Sequence, residues 1–171
     1  MAAVAPWQPE IILPVGRGGF YPGSLIAHIL QTEIFPVRLT RRNRDVIVRD
    51  SPTWLVPPPA AVAGHRVLVV DEICSTGETL SIVCSRLREL GANEIRTAVL
   101  YAHSSGTGVP DYIGLITDEL LMNPWDREIY QEGEFKFHPE YVDALNKQGY
   151  EPTADLLIPA PHFVAEKSVV G

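Results

Sequence analysis

The sequence predicts an α/β fold, a doubly wound parallel sheet, on three observations. "RVLVVD" (Arg66 to Asp71) is a continuous apolar run, as a central parallel strand covered on both faces requires. Strand-like runs alternate with helix-periodic ones along most of the chain. Two glycine-containing turns, Gly16 to Gly19 and Ser75 to Thr79, each follow a strand and precede a helix. In such sheets ligands bind outside the carboxyl ends of strands, so both turns would face one crevice.

"EIILPV" (Glu10 to Val15) reads as a buried strand and "GRGGF" as a tight turn. Pro22 suits the first turn of the helix "PGSLIAHILQTE", with Ile26, Ile29 and Leu30 on one face. "IFPVRLT" is expected to be a second strand, with Pro36 placing it at an edge or bulge. Arg41 to Gly64 reads as a loop-rich excursion. After "RVLVVD", Leu80, Val83, Cys84, Leu87 and Leu90 recur at helical spacing until Gly91 stops them. "EIRTAVLYA" and "DYIGLIT" are further strands, and "HPEYVDALNKQG" is a surface helix with Gly149 past its end. The tail "APHFVAEKSVVG" carries no clear signal.

The 171 residues suit one domain, expected as a core over about 10–118 and a small hood over about 119–171 plus the N-terminal residues. The net charge of -7 opposes general adhesion to nucleic acid or anionic membrane. No apolar run approaches the ~20 residues that span a bilayer. "MAAVAPWQPE" has neither a basic start nor a long apolar stretch, so it does not read as a signal peptide. Cys74 and Cys84 form no C-x-x-C pair, which suggests a reduced, cytoplasmic chain.

The chemistry concentrates in "VLVVDEICSTGETL" (Val67 to Leu80). Ser75, Thr76, Gly77, Glu78 and Thr79 open a helix, where free N–H groups and the helix dipole favour phosphate. Ser75-x-x-Glu78 is equally a capping box, and the turn alone leaves both readings open. Asp71 and Glu72 are adjacent acids at a buried strand's end, and acids beside a phosphate loop would repel it unless they hold its other groups. Accepting hydrogen bonds from sugar hydroxyls, or holding Mg²⁺ through waters, resolves the conflict. A sugar phosphate bound with Mg²⁺ satisfies both.

These residues resemble the phosphoribosyl pyrophosphate signature of the type I phosphoribosyltransferases: an apolar strand, two acids, two apolar residues, a small residue, Thr-Gly, then Thr or Ser. "ILPVGRGGFYPGSLIAHIL" is similar to the pyrophosphate loop and following helix of the purine-salvage branch (hypoxanthine-, guanine- or xanthine-like). "NPWDRE" resembles the hood segment near the base pocket of bacterial and archaeal 6-oxopurine enzymes. The resemblance runs over roughly Ile11 to Glu128.

The resemblance implies Mg²⁺-dependent transfer of ribose 5-phosphate from phosphoribosyl pyrophosphate to a nucleobase, a purine by the branch it resembles, with release of pyrophosphate. Asp71 and Glu72 would bind the ribose hydroxyls and the metal, and Asp126 would lie near the base or a metal. Asp71, Glu72 and Ser75 are the candidate catalytic residues. Ser75 through Thr79 would cradle the 5′-phosphate. Gly16, Arg17 and Gly18 would hold pyrophosphate, with Gly16–Arg17 the candidate for the non-proline cis peptide often found there. His103, Leu120 and Trp125 would line the base site, and the segment Arg41 to Pro59 would hold a loop that closes over the reaction. A homo-oligomer, dimer or tetramer, is implied as well.

The chain departs from the 6-oxopurine pattern at three places. Ser75 stands where a general-base aspartate is usual, although Ser or Ala occurs there in other branches. His103 falls about where a lysine donates to the purine oxygen, and it reads equally as a loop histidine without contact. Leu120 replaces a stacking aromatic, while Trp125 nearby also reads as hood packing. "RLTRRNR" (Arg38 to Arg44) is either a pyrophosphate contact or a solvated basic loop. About nine residues precede "EIILPV", fewer than the family usually has, so a partner subunit is expected to cover that side. The alternative from another class is a non-catalytic regulator of the same fold that binds phosphoribosyl pyrophosphate or a nucleotide. Ser75 and His103 favour it.

Overall fold

The computed structural model describes residues 1–43, 46–47, 51–147, 149 and 151. It divides into two compact units, Met1–Asp118 and Glu119–Gly171. In the first, β1 (Ile11–Pro14) leads to α1 (Phe20–Leu30) and a short β2 (Glu33–Ile34). Next come β3 (Arg38–Thr40), β4 (Arg42–Asn43), β5 (Val46–Ile47) and β6 (Thr53–Val56). Then β7 (Arg66–Cys74), α2 (Glu78–Glu89), β8 (Glu94–Ala102) and β9 (Tyr112–Ile116) complete the unit. Five strands form one parallel sheet in the order β2-β1-β7-β8-β9. This is the expected doubly wound architecture.

The apolar run of β7 explains its central place. Val67, Leu68, Val69 and Val70 are all fully buried, because successive side chains enter opposite faces and both faces are covered. Val67 and Val69 pack with Leu80, Val83 and Leu87 of α2. Leu68 and Val70 pack with Ile12, with Ala27 of α1 and with Val4. Each such burial contributes ~1.5–3 kcal/mol relative to exposure. Val4 is the N-cap of a 3₁₀ turn at Ala5–Trp7, and the core of this unit takes in Val4 with Trp7 packed against it.

Three expectations change. The run "IFPVRLT" does not stay one strand. Phe35 and Val37 donate to Ile12 and Pro14 carbonyls (3.0 and 2.9 Å), so Pro36 occupies the outward position of an edge, where no donor is needed. The chain then leaves the sheet, and β3 pairs antiparallel with β6. The excursion after Arg41 is likewise more regular than expected, since β4 and β5 also pair antiparallel. On α1, Ile29 is 53% exposed, on a stripe with Tyr21 and Leu25. The buried face is Pro22, Gly23 and Ala27, because small residues let the helix lie close to the sheet.

The second unit holds β10 (Glu128–Gln131), β11 (Glu134–Phe137) and α3 (Pro139–Lys147). The first two form an antiparallel hairpin that the sequence reading did not anticipate. Glu132 and Gly133 make its turn with φ of 56° and 88°, and Tyr130 meets Phe135 edge-on across the strands at 5.2 Å. His138 caps α3 by accepting from the Glu140 N–H at 3.3 Å. Tyr141 is buried, and its hydroxyl donates to the Leu121 carbonyl at 3.2 Å. The tail from residue 160 lies outside the described residues, as do 44–45 and 48–50 of the expected closing loop.

Candidate active site

The chain passes from β1 through α1 to β2 on one side, and β7 enters on the other. Strand order therefore reverses between β1 and β7, which is where doubly wound sheets open a crevice. The last β1–β7 pair is Pro14 with Val70. Val15 N–H still donates to the Val70 carbonyl (2.8 Å), and Gly16 N–H then turns away to the Val37 carbonyl (2.8 Å). Asp71 to Cys74 continue past that point, paired only with β8. The two acids thus lie within the strand, on the stretch that β1 has left uncovered.

The turn after β1 closes onto them. The Gly16–Arg17 peptide is cis, as the resemblance implied. A Cβ at Gly18 would stand 2.8 Å from both Cβ and Cδ of Glu72, so glycine is required for the turn to touch that acid. Arg17 is exposed at its outer side.

Asp71 and Glu72 are half-buried. Asp71 Oδ1 accepts the Glu72 N–H at 2.8 Å. Burial pushes the Asp71 carboxyl up to about 7 and the Glu72 carboxylate adds to the rise, while the accepted hydrogen bond opposes it. A bound cation or a hydroxyl donor would favour the charged form and offset this rise.

The turn after β7 is open. α2 begins at Glu78 with Gly77 as its N-cap, at φ 83° and without a side-chain cap hydrogen bond. The Ser75–Glu78 capping box is therefore not formed. Glu78 instead pairs with Arg41 at 3.7 Å. Gly77 is buried against Val109, whereas Ser75 and Thr76 are exposed and Thr79 is half-buried. Ser75 to Thr79, Asp71 and Arg41 line a pocket of 180 Å³ that Ile73, Cys74 and Leu80 complete, so its wall is mostly polar. Cys74 turns inward, its thiol donating to the Gly106 carbonyl at 3.4 Å. Burial, and then the Asp71 charge, push that thiol up, away from reactivity.

A third segment braces this turn. His103 N–H donates to the Cys74 carbonyl (3.0 Å), and Ser105 Oγ donates to the Ser75 carbonyl (2.8 Å). Asp118 anchors the segment by accepting from Ser104 N–H (2.9 Å) and Oγ (3.0 Å), which hold its carboxyl below the usual range. Sequence reasoning missed Ser105. The available signal was "SSG" after a strand's carboxyl end, the same small-polar pattern as the phosphate turn.

The structure thus brings together Gly16 to Gly18, Asp71, Glu72, Ser75 to Thr79 and the backbone of His103. Leu120, Trp125 and Asp126 belong to the second unit. There Leu120 is 53% exposed, Trp125 and Asp126 are half-buried, and Asp126 N–H donates to the Asn123 carbonyl at 3.1 Å. Among the described residues no group of three or more His, Cys, Asp or Glu side chains could hold a metal. The adjacent Asp71 and Glu72 suit Mg²⁺, which takes one or two carboxylates and fills its octahedron with water and substrate oxygens. Among the described residues no helix is long and apolar enough to cross a membrane.

Residues 2–133 match the family model of the phosphoribosyl transferase domain. The chain belongs to this family. It is 29% identical over 105 residues to an adenine phosphoribosyltransferase of Gluconacetobacter diazotrophicus, covering 57% of this chain and 60% of the relative. It is 28% identical over 93 residues to the transcriptional regulator GfcR 1 of Methanosarcina barkeri, covering 54% of this chain and 45% of the regulator. The chain thus spans less than two thirds of the length of either relative. Among solved structures it resembles a purine phosphoribosyltransferase from Pyrococcus horikoshii, with a TM-score of 0.66 and 27% identity over 77% of this chain and 86% of that one.

Proposed function

We propose that the chain transfers ribose 5-phosphate from phosphoribosyl pyrophosphate to a ring nitrogen of a purine base, releasing pyrophosphate. The contact of the Gly18 turn with Glu72, at the point where strand order reverses, carries this reading. It sets the Gly16–Gly18 turn, the two acids and the hydroxyl-bearing pocket of Ser75 to Thr79 on one crevice, which supports the reading. Ser75 to Thr79 receive the 5′-phosphate, and Asp71 and Glu72 accept from the ribose hydroxyls. The backbone of Gly16 to Gly18 orients the pyrophosphate. Mg²⁺ held at Asp71 and Glu72 would supply positive charge to the departing pyrophosphate. The acids also face the positive charge that develops on the ribose. His103, Leu120, Trp125 and Asp126 are assigned to the base side on the resemblance alone.

Ser75 offers a hydroxyl where 6-oxopurine enzymes abstract a proton, and a serine is a poor base at neutral pH. Adenine therefore heads the bases to test, in keeping with the relative's name. The assay is pyrophosphate release with phosphoribosyl pyrophosphate, Mg²⁺ and adenine, hypoxanthine, guanine, xanthine, uracil or orotate. Release that depends on a purine is expected, and Asp71→Asn should abolish it. Binding of phosphoribosyl pyrophosphate without turnover on any base would favour the regulator reading, which the likeness to the Methanosarcina barkeri protein motivates.

The same reading includes a homo-oligomer. Tyr21, Leu25 and Ile29 form one stripe of α1, 51%, 59% and 53% exposed, which a second copy would cover. Light scattering should give a multiple of the 18.9 kDa chain. Leu25→Lys should lower that mass, and a monomeric wild type would refute the oligomer.

A further inference from the structure

The phosphate pocket contains a charge conflict that the proposed function leaves unsolved. Glu78, at the first turn of α2, puts a carboxylate into the lining of a pocket that would receive a phosphate dianion. The cationic residue of that lining is Arg41, which arrives from the end of β3 rather than from either ligand turn. Its Nη1 lies 3.7 Å from Glu78 Oε2, with the two side chains 45% and 46% exposed. An exposed pair of this kind is weak, so it is readily exchanged. A guanidinium bonds a phosphate through two parallel N–H groups more strongly than it holds a carboxylate at this distance.

We propose that Arg41 is the side-chain anchor of the 5′-phosphate, held over the pocket by Glu78 and transferred from that carboxylate to the phosphate when the sugar phosphate binds. This inference rests on the phosphoribosyltransferase reading and adds a specificity-determining residue to it. It gives the Arg38–Arg44 segment a third use beside the two the sequence leaves open, because Arg41 lines the pocket of Ser75 to Thr79. The arginine serves the phosphate that stays with the sugar, not the pyrophosphate that leaves.

Titration calorimetry on the full chain tests this with two probes, ribose 5-phosphate and pyrophosphate. Arg41→Ala should weaken ribose 5-phosphate about 10-fold or more, the usual loss for a hydrogen bond to a charged group, and leave pyrophosphate unchanged. Arg41→Lys should recover part of the loss, and Arg41→Gln should not. Glu78→Gln should tighten ribose 5-phosphate, since it removes both the competitor and the repulsion. Arg41 is exposed, so the variants should melt with the wild type. Ribose 5-phosphate affinity within twofold of wild type in Arg41→Ala would overturn the inference and leave the transferase reading intact. Loss of pyrophosphate affinity instead would reassign Arg41 to the leaving group and overturn it too. A wild type that binds neither ribose 5-phosphate nor phosphoribosyl pyrophosphate would sink both.

Discussion

The turn after β1 and the turn after β7 face one crevice but are built by opposite means. The first is shaped by what surrounds it, with Gly18 against the Glu72 side chain and the Gly16 N–H tied to Val37 on the edge of the sheet. The second leaves Ser75 and Thr76 exposed and is held from behind by the His103 and Ser105 hydrogen bonds. A crowded turn positions a ligand through backbone atoms that cannot move. An open one offers side chains and amides whose orientation depends on a brace. Substitutions in the two should therefore fail differently.

The largest effect is expected at Gly18. Gly18→Ala puts a methyl into Glu72, so either the turn or the acid must shift. Displacements near 1 Å at a reacting centre cost about 100-fold, and kcat/KM for the proposed transfer should fall by at least that much. Gly77→Ala provides the contrast. At φ 83° and against Val109 it strains the folded state itself, so a lower Tm should accompany any loss of rate. Steady-state kinetics and melting of both variants check this. Full activity in Gly18→Ala would end the claim that the first turn is sterically locked.

Asp71 is expected to give the next effect, because it lies under both turns. Its carboxyl is raised from 3.8 to about 7, so the folded chain binds a proton that the unfolded chain has released between those values. Stability without ligand must therefore fall as pH rises from about 4 to about 7. Asp71→Asn is never charged and escapes that loss. Its Tm should exceed that of wild type at about pH 8, and the two should converge near pH 4, even as the variant is expected to lose the proposed activity. Parallel melting curves across that range would show that the acid is well solvated after all.

The contrast between the turns also marks what the sequence could reveal. The second turn was readable because its chemistry is local: four apolar residues, two acids, then Ser-Thr-Gly-Glu-Thr in succession. The central place of β7 and the helix of Leu80, Val83, Cys84 and Leu87 followed from the same periodicity. What could not be read there depends on tertiary neighbours. That the Ser75–Glu78 capping box does not form depends on a distant partner, because Glu78 pairs with Arg41, 37 positions away. Ile29 fits a helical apolar face, but the small residues Gly23 and Ala27 took the sheet side instead. The Glu132–Gly133 hairpin was legible in principle, as aromatic and apolar residues flank a glycine turn, and was passed over because "NPWDRE" drew the segment into the hood.

The smallest effect is expected at the brace, and it separates positioning from chemistry. Ser105 reaches the second turn through its hydrogen bond to the Ser75 carbonyl (2.8 Å). If the open turn needs outside support, Ser105→Ala should raise KM for phosphoribosyl pyrophosphate about fivefold, the net value of one hydrogen bond, while kcat changes little. Ser105→Thr keeps the hydroxyl and should restore KM. Asp118→Asn weakens the anchor of Ser104 one step further back and should move KM in the same direction by less. A fall in kcat with constant KM would instead place Ser105 in the chemical step. An unchanged KM in all three would mean that the turn after β7 supports itself, and the difference drawn between the two turns would then rest on Gly18 alone.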